Sequence, residues 1–196
     1  MSHYFLPPTG PERRRTIACR FWETDWEFTT ANGVFSADGL DLGTAVLLRT
    51  HTPSPDAGRL LDLGCGFGPV AVALAVACPR AGVDAVDVNP RAVELTRENA
   101  RAHGVGDRVH AFDPEEADPE ARYDEIWSNP PIRIGKPALH ALLTTWLGRL
   151  ADGGVARLVV GRNLGADSLQ RWLEEQGWRC ERTASAKGFR VFAVTR

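Results

Sequence analysis

Two short stretches of this sequence combine residue types that could bind a cofactor and hold an amine. The first is Arg-Leu-Leu-Asp-Leu-Gly-Cys-Gly-Phe-Gly at residues 59–68. Its glycines, Gly64, Gly66 and Gly68, follow an apolar segment and precede a helix-forming one. A glycine-rich loop at the start of a helix exposes backbone N–H groups and lets a ligand approach the main chain closely. The stretch therefore predicts a site for a nucleotide-like cofactor.

An acid downstream of this loop narrows the class of cofactor. Asp87 lies 21 residues after Gly66, where an acid can bind both hydroxyls of a ribose. The third glycine of the dinucleotide pattern G-x-G-x-x-G is missing, and Pro69 follows Gly68. A pyrophosphate would require that glycine for close packing of helix on strand. The loop instead suits a cofactor without phosphate, such as S-adenosylmethionine; the alternative is a turn that binds no ligand.

The second stretch, Ser-Asn-Pro-Pro-Ile-Arg at residues 128–133, could hold a planar amine. Pro130 and Pro131 fix the backbone and remove two N–H donors. The Asn129 side-chain oxygen and the Pro130 carbonyl remain as acceptors that match the two hydrogens of an exocyclic amine. Such a site would favour the pyramidal nitrogen that forms on attack at a methyl group, through orientation and charge stabilisation. The alternative is a stiff turn between a strand and a loop.

Two further aspartates stand beside these stretches. Asp62 directly precedes the glycine loop, and Asp113 follows a later apolar segment. Asp113 could accept a hydrogen bond from an adenine amino group. It could equally be a turn aspartate, because Pro114 comes next.

The elements that must position these residues follow from alternating strand and helix patterns after residue 59. Strands are predicted at 59–63, 82–87, 108–112, 123–128, 154–160, 178–183 and 189–195. Helices are predicted at 42–50, 69–78, 90–103, 137–150 and 166–176. This alternation indicates parallel βαβ units with right-handed crossovers, and the short turn at 185–188 makes the last strand antiparallel. The expected fold is a doubly wound, Rossmann-like α/β sheet of seven mostly parallel strands, with ligands at the carboxyl ends of the strands.

The first 36 residues predict an extension to this sheet. Residues 1–15 contain prolines and few apolar residues, which indicates a flexible arm. Residues 16–36 indicate a short β-hairpin with its turn at Glu23-Thr24-Asp25. The cluster Arg13-Arg14-Arg15 is either a solvated charge run or a phosphate contact.

Composition limits the classes of protein that this chain can belong to. Its 196 residues predict one domain, and its formal net charge of −2 does not indicate a surface that attracts nucleic acid as a whole. Four scattered cysteines indicate neither a zinc site nor a disulfide framework. The sequence has no run of 18 apolar residues and no signal-peptide pattern, so we expect a cytoplasmic protein without metal or membrane contact.

Taken together, the motifs resemble those of the class I S-adenosylmethionine-dependent methyltransferases, and more closely the methyltransferase small domain family. That family includes the 16S ribosomal RNA guanine-N2 methyltransferases. The resemblance extends from about Arg20 to Arg196. The matching stretches are residues 33–36, 40–44, 61–68, 87–89, 128–133, 135–136 and 188–191.

The resemblance implies one class I methyltransferase domain over residues 1–196, with S-adenosylmethionine as the cofactor. It implies that the cofactor contacts Asp62, Gly64, Cys65, Gly66, Gly68, Asp87, Val88, Asp113 and Asn129. It places Asn129, Pro130 and Pro131 at the reacting amine. The residue after Asn-Pro-Pro is often aromatic in the family and stacks on the base, whereas here it is Ile132. We therefore expect Phe35 or Arg133 to stack on the substrate base beside Ile132.

The expected function is methylation of an exocyclic amine, guanine N2, in ribosomal or other structured RNA. The additional N-terminal domain of the two-domain ribosomal enzymes has no counterpart in this sequence. The resemblance therefore supports the acceptor less directly than it supports the cofactor. One alternative keeps the cofactor and takes a protein glutamine or a small amine as acceptor. Another is a non-catalytic RNA-binding or assembly factor with the same fold.

Overall fold

The computed structural model describes residues 11–196, and the first ten residues of the expected N-terminal arm lie outside that range. Two strands form an N-terminal hairpin and seven form the central sheet. The strands are β1 (Arg14–Phe21), β2 (Thr24–Ala31), β3 (Arg59–Leu63), β4 (Gly82–Val86), β5 (Val109–Phe112), β6 (Tyr123–Ser128), β7 (Leu150–Gly161), β8 (Arg179–Ala186) and β9 (Phe189–Thr195). The helices are α1 (Leu42–Thr50), α2 (Pro69–Ala77), α3 (Pro90–Ala102), α4 (Lys136–Leu147) and α5 (Ala166–Glu175).

The central sheet has the order β5-β4-β3-β6-β7-β9-β8. Strands β3 to β7 pair in parallel, and β9 is antiparallel to both β7 and β8. The expected fold class is thereby confirmed. Strand order reverses between β3 and β6, which are neighbours in the sheet, and ligands bind at such switch points in doubly wound folds. The glycine loop follows β3 and Asn129 follows β6, so both motifs stand at the switch point.

Two apolar layers cover the sheet. One contains side chains from the hairpin and from α1, α2 and α3, and the other contains side chains from α4 and α5. Asn99 of α3 joins the hairpin to the glycine loop: its Nδ2 donates to Thr29 O at 2.8 Å and to Phe67 O at 2.7 Å. The hairpin is therefore fixed on the face that carries the loop.

The N-terminal region differs from the prediction in two respects. Strand β1 begins at Arg14, so Arg14 and Arg15 belong to the hairpin and not to the arm. Arg14 forms ion pairs with Glu12 and Glu98, and Arg15 pairs with Asp38, as a solvated charge run would. The turn lies at Trp22-Glu23, one residue before the predicted Glu23–Asp25, because both residues adopt the positive φ of a two-residue hairpin turn.

Strand β7 also begins earlier than predicted, at Leu150, where it pairs with Tyr123 before a register shift. Helix α4 consequently ends at Leu147 and not at residue 150. Among residues 11–196, no helix has the length and apolar character that crossing a membrane requires.

Candidate active site

The amides at the start of the glycine loop are tied to the neighbouring strand. Gly64 N and Cys65 N both donate to Val86 O, at 2.8 and 3.0 Å. Gly64 and Gly66 have φ of +81° and +57°, which lie in the region that favours glycine. A Cβ at either position would meet no atom within 4 Å. The loop therefore presents its main chain to open space, as close approach of a ligand requires.

Gly68 has a different role from the two preceding glycines. It also has a positive φ, but a Cβ there would lie 2.9 Å from Thr96 Cγ2 and 3.0 Å from Thr96 Cα. Thr96 is buried in α3, and its hydroxyl donates to Gly66 O at 3.0 Å. Gly68 thus allows the start of α2 to pack closely against α3, a role that the spacing of the motif does not reveal.

Asp87, predicted to bind a ribose, also supports the loop. One carboxylate oxygen accepts from Gly66 N and the other from Asn89 N, both at 2.9 Å. Burial raises the pKa of this carboxyl, while the two backbone N–H groups act against that rise. Each oxygen keeps a lone pair, so Asp87 can hold the loop and still accept from ribose hydroxyls.

Asp62 is the most deeply buried acid of the site, with 2% of its surface exposed. Its carboxylate accepts from Ala71 N at 2.9 Å, in the first turn of α2. Burial raises the pKa of Asp62 to about 7, the Ala71 amide acts against the rise, and the charge of Asp87 adds to it. Burial also raises the pKa of the adjacent Cys65 thiol, so Cys65 stays a neutral packing residue.

These two acids decide which kind of cofactor fits the loop. A phosphate placed among Asp62 and Asp87 would meet like charges in a desolvated site, which is costly. A cation would instead be stabilised there and would lower the raised pKa of each carboxyl. The residues therefore fit S-adenosylmethionine, which has sulfonium and ammonium groups and no phosphate.

Two predicted contacts for the adenine ring lie after β4 and β5. Val88 is 50% exposed and provides an apolar surface at the end of β4. Asp113 accepts from Glu115 N at 2.9 Å and caps the turn that begins at Pro114, as the turn interpretation expects. Its second carboxylate oxygen has no hydrogen bond among the described residues, so the adenine contact stays a prediction.

Asn129 is held in one orientation by the start of α1. Its Nδ2 donates to Asp41 Oδ2 at 2.7 Å and to Thr44 Oγ1 at 3.1 Å. Asp41 also accepts from Thr44 N and thereby caps α1. Because the amide nitrogen is committed to these partners, Oδ1 is left as the side-chain acceptor of Asn129, and this residue lines a cavity.

The two prolines form a stiff turn, as the alternative interpretation of this stretch expects, and their contact with an amine stays a prediction. Pro131 has φ −74° and ψ 75°, and Ile132 N donates to Pro130 O at 2.8 Å, the geometry of an inverse γ-turn. The Pro130 carbonyl therefore already accepts one hydrogen bond and has one lone pair for a ligand. Ile132 is half-buried in the next turn, whereas Arg133 is exposed.

A single cavity connects the two motifs. Its walls include Asp62, Gly64 and Gly66 on one side and Asn129, Asp41 and Phe35 on the other. Phe35 is 46% exposed and lies in the loop between the hairpin and α1. Of the predicted residues, the cavity thus brings together Phe35, Asp62, Gly64, Cys65, Gly66 and Asn129. The other predicted residues do not line it: Gly68, Asp87, Val88, Asp113, Pro130, Pro131, Ile132 and Arg133.

Sequence reasoning missed two residues that shape the site, Asp41 and Thr44. Both lie within a stretch matched by the family resemblance, and Asp-x-x-Thr before an apolar run is a helix-cap signal. That signal predicts the start of α1 but gives no indication that Asp41 binds Asn129, which is 88 residues away.

Comparison with known proteins supports the family. A family model described as the methyltransferase small domain matches residues 25–193. The uncharacterized protein YbxB of Bacillus subtilis is 33% identical over 177 residues, which cover 89% of this chain and 88% of YbxB. Ribosomal RNA small subunit methyltransferase C of Escherichia coli is 39% identical over 134 residues, but the match spans only 38% of that protein.

A solved structure supports the same family. The T. thermophilus 16S rRNA N2 G1207 methyltransferase, in complex with AdoMet and guanosine, superposes with a TM-score of 0.80 at 26% identity. The match covers 97% of this chain and 52% of that one. The chain therefore spans about half or less of the ribosomal RNA methyltransferases to which it is similar.

Proposed function

The chain belongs to the methyltransferase small domain family, a family of S-adenosylmethionine-dependent methyltransferases, and we propose that its acceptor is the N2 amine of a guanine in ribosomal RNA. The observation that carries this proposal is the fixed Asn129 amide. Asp41 and Thr44 take its N–H groups, so the Oδ1 atom accepts at the cavity that the glycine loop lines.

The cofactor would be held by the residues around the glycine loop. The N–H groups of Gly64 and Gly66 already donate within the protein, so the main-chain carbonyls there and the carboxylates of Asp62 and Asp87 would take its polar groups. Val88 would pack on the adenine ring. When bound, S-adenosylmethionine supplies an electrophilic methyl group. The acidic environment stabilises the positive charge of the bound cofactor.

The acceptor amine would lie between Asn129 Oδ1 and the remaining lone pair of Pro130 O. Two acceptors that converge on one amine orient its nitrogen lone pair and stabilise the positive charge that it gains. The nitrogen becomes acidic as that charge develops, so it loses its proton without a strong general base. No residue of the cavity needs to act as that base.

The guanine ring needs contacts on its two faces. Ile132 would pack on one face, in the place where the family often has an aromatic residue. Phe35 lines the cavity from the other wall and would provide a stacking surface, and Arg133 is exposed directly after Ile132. Base stacking on an aromatic side chain contributes about 1–3 kcal/mol.

The choice of ribosomal RNA rests on the relatives. The E. coli protein is named for methylation of small-subunit ribosomal RNA, and the T. thermophilus structure holds guanosine beside AdoMet. Since this chain spans about half or less of those proteins, the ribosomal substrate is a proposal for it. A cytoplasmic location follows from the same proposal, because ribosomal RNA is methylated where ribosomes are assembled.

The test is methyl transfer from tritiated S-adenosylmethionine to total RNA and, separately, to total protein, followed by mass spectrometry of nucleosides. We expect label in RNA as N2-methylguanosine. Label in protein glutamine or in a small amine would replace the RNA acceptor. Binding of S-adenosylhomocysteine by calorimetry without any transfer would indicate a non-catalytic factor.

A further inference from the structure

Charge is divided unevenly along the carboxyl edge of the sheet. The segments after β4 and β5 contribute acids at this edge: Asp87, Asp113, Glu115 and Glu116. The segments after β6, β7 and β8 contribute cations: Arg133, Lys136, Arg162 and Lys187. The sequence has only two lysines, and both belong to this group of four. The overall net charge of −2 conceals this separation.

Two of these cations are joined at the end of the sheet by the β8–β9 turn. Lys187 and Gly188 form that turn with positive φ, and Arg162 N donates to Gly188 O at 2.8 Å. Residue 162 directly follows β7, whose last residue, Gly161, pairs with Phe189. Arg162 and Lys187 therefore stand side by side at the edge where Asn129 also emerges.

Phe189 connects this turn to the acceptor site. A Cβ at Gly43 would lie 2.8 Å from Phe189 Cε1, so the ring packs directly on the start of α1. The same turn of α1 provides Asp41 and Thr44, which hold Asn129. A ligand bound at Lys187 and Arg162 is consequently adjacent to the element that orients the catalytic amide.

The four cations are available for a ligand. Within residues 11–196 none of them forms an ion pair, and Arg133, Lys136, Arg162 and Lys187 are all exposed. Arg190 provides the contrast, because it lies near the same turn but forms an ion pair with Asp167. Asp41 is engaged with Asn129 and the α1 cap and, within the described residues, forms no ion pair with any of the four.

We propose that Arg133, Lys136, Arg162 and Lys187 form a cationic rim that binds the phosphates of an RNA strand on the acceptor side of the cavity. This inference rests on the proposed function, since it requires a polynucleotide acceptor. Lysine and arginine on an exposed edge bind phosphate without reading sequence. The acids on the cofactor side repel the same backbone, so the strand can lie across only one half of the edge.

The number of phosphates bound is measurable from salt dependence. Four contacts to a single strand give a slope of log K against log salt of about −3. The probe is a short fluorescein-labelled single-stranded RNA with one central guanosine. Its binding is measured by fluorescence anisotropy in the presence of saturating S-adenosylhomocysteine. The test variant is Lys187→Gln with Arg162→Gln, which removes two charges and keeps side chains of similar length.

The matched control is Arg179→Gln with Arg182→Gln. These residues are exposed on β8 of the same hairpin, before its end at the acceptor edge, and form no ion pair in the described part of the chain. Both variants change the net charge equally. We expect the rim variant to bind the probe about tenfold more weakly at low salt with about half the slope, and the control to behave like the parent protein.

The outcomes separate the two proposals. Equal weakening in both variants would overturn the rim, because net charge alone would explain it, and would leave RNA methylation intact. A rim variant that binds like the parent would overturn the rim in the same way. A parent protein that neither binds nor methylates RNA, but methylates protein, would overturn both. Unchanged calorimetric affinity for S-adenosylhomocysteine in each variant verifies that the fold is retained.

Discussion

The two halves of the carboxyl edge are built in different ways. On the cofactor side, each support comes from nearby in the chain: Asp87 holds Gly66 across 21 residues. On the acceptor side, Asn129 depends on Asp41, which precedes it by 88 residues. The cofactor side contains buried acids with raised pKa values, and the acceptor side contains an oriented neutral amide beside exposed cations.

The difference indicates a division between the halves, one suited to cofactor binding and the other to positioning the acceptor. Under the proposed function, the cofactor half would use backbone and carboxylates to hold a cation, and the acceptor half would use geometry to present an amine. If that division holds, substitutions in one half should change cofactor affinity and substitutions in the other should change turnover.

Asn129→Ala should separate the halves most clearly. Removing one pre-oriented acceptor should lower kcat by about 10³, in the range found for single groups that stabilise transition-state charge. The affinity for S-adenosylhomocysteine, measured by calorimetry, should stay unchanged because the glycine loop does not contact the substituted atoms. Parallel loss of affinity and turnover would instead make Asn129 a cofactor ligand.

Gly66→Ala and Gly68→Ala should differ although the two residues share one loop. Gly68→Ala should lower the free energy of unfolding by about 3 kcal/mol, because the new Cβ meets the Thr96 backbone. Gly66→Ala should cost only about 1–2 kcal/mol for its positive φ, since its Cβ points into open space.

Denaturant unfolding measures the stability of both variants, and calorimetry measures their affinity for S-adenosylhomocysteine. Gly66→Ala should nonetheless weaken S-adenosylhomocysteine binding, since the methyl group would occupy the space that the ligand needs. If Gly66→Ala retained full affinity, the cofactor would not lie over this glycine.

Asp62 should make the stability of the fold depend on pH. Its pKa is about 7 when folded and near 3.8 when unfolded, so between these values the unfolded chain has lost a proton that the folded protein keeps. Stability from this group therefore falls as pH rises from about 4 to 7, by about 1.4 kcal/mol per pH unit at most. Asp62→Asn, compared with the parent protein by urea unfolding at several pH values, should remove this fall.

Asp87 has a raised pKa as well and should add to the trend in the same direction. Asp87→Asn serves as the second comparison, and it should flatten only part of the pH dependence. Identical pH profiles for the parent protein and Asp62→Asn would contradict the raised pKa of Asp62.

Asp41→Asn should have the smallest effect of these changes. Asparagine caps a helix as well as aspartate does, so α1 should keep its stability. The hydrogen bond to Asn129 loses its charge assistance, and a less fixed amide should lower kcat about tenfold with the cofactor affinity unchanged. Steady-state kinetics measure the effect, and Thr44→Ser, which keeps the hydroxyl, is the control that should retain activity.

Much of the fold could be predicted because its determinants are local. The ends of helices and strands are marked by hydrophobic periodicity, by Pro90 after Asn89 and by the glycines after β3. The predicted boundaries therefore differ from the observed ones by only a few residues. The sequence predicts the hairpin turn one residue too late, because nothing in the sequence indicates that Trp22 adopts a positive φ. The packing role of Gly68 and the bond from Asn129 to Asp41 depend on tertiary contacts that no local pattern encodes.

The packing of Phe189 on Gly43 has a consequence for the order in which the site forms. Closing a loop of 88 residues costs about 1 kcal/mol more entropy than closing one of 21, and contacts of large sequence separation form late in folding. The glycine loop can thus assemble while the partners of Asn129 are still apart. A chain emerging from the ribosome would present the glycine loop and its support Asp87 before residue 129 could reach Asp41, and Phe189 of β9 would pack on the start of α1 last.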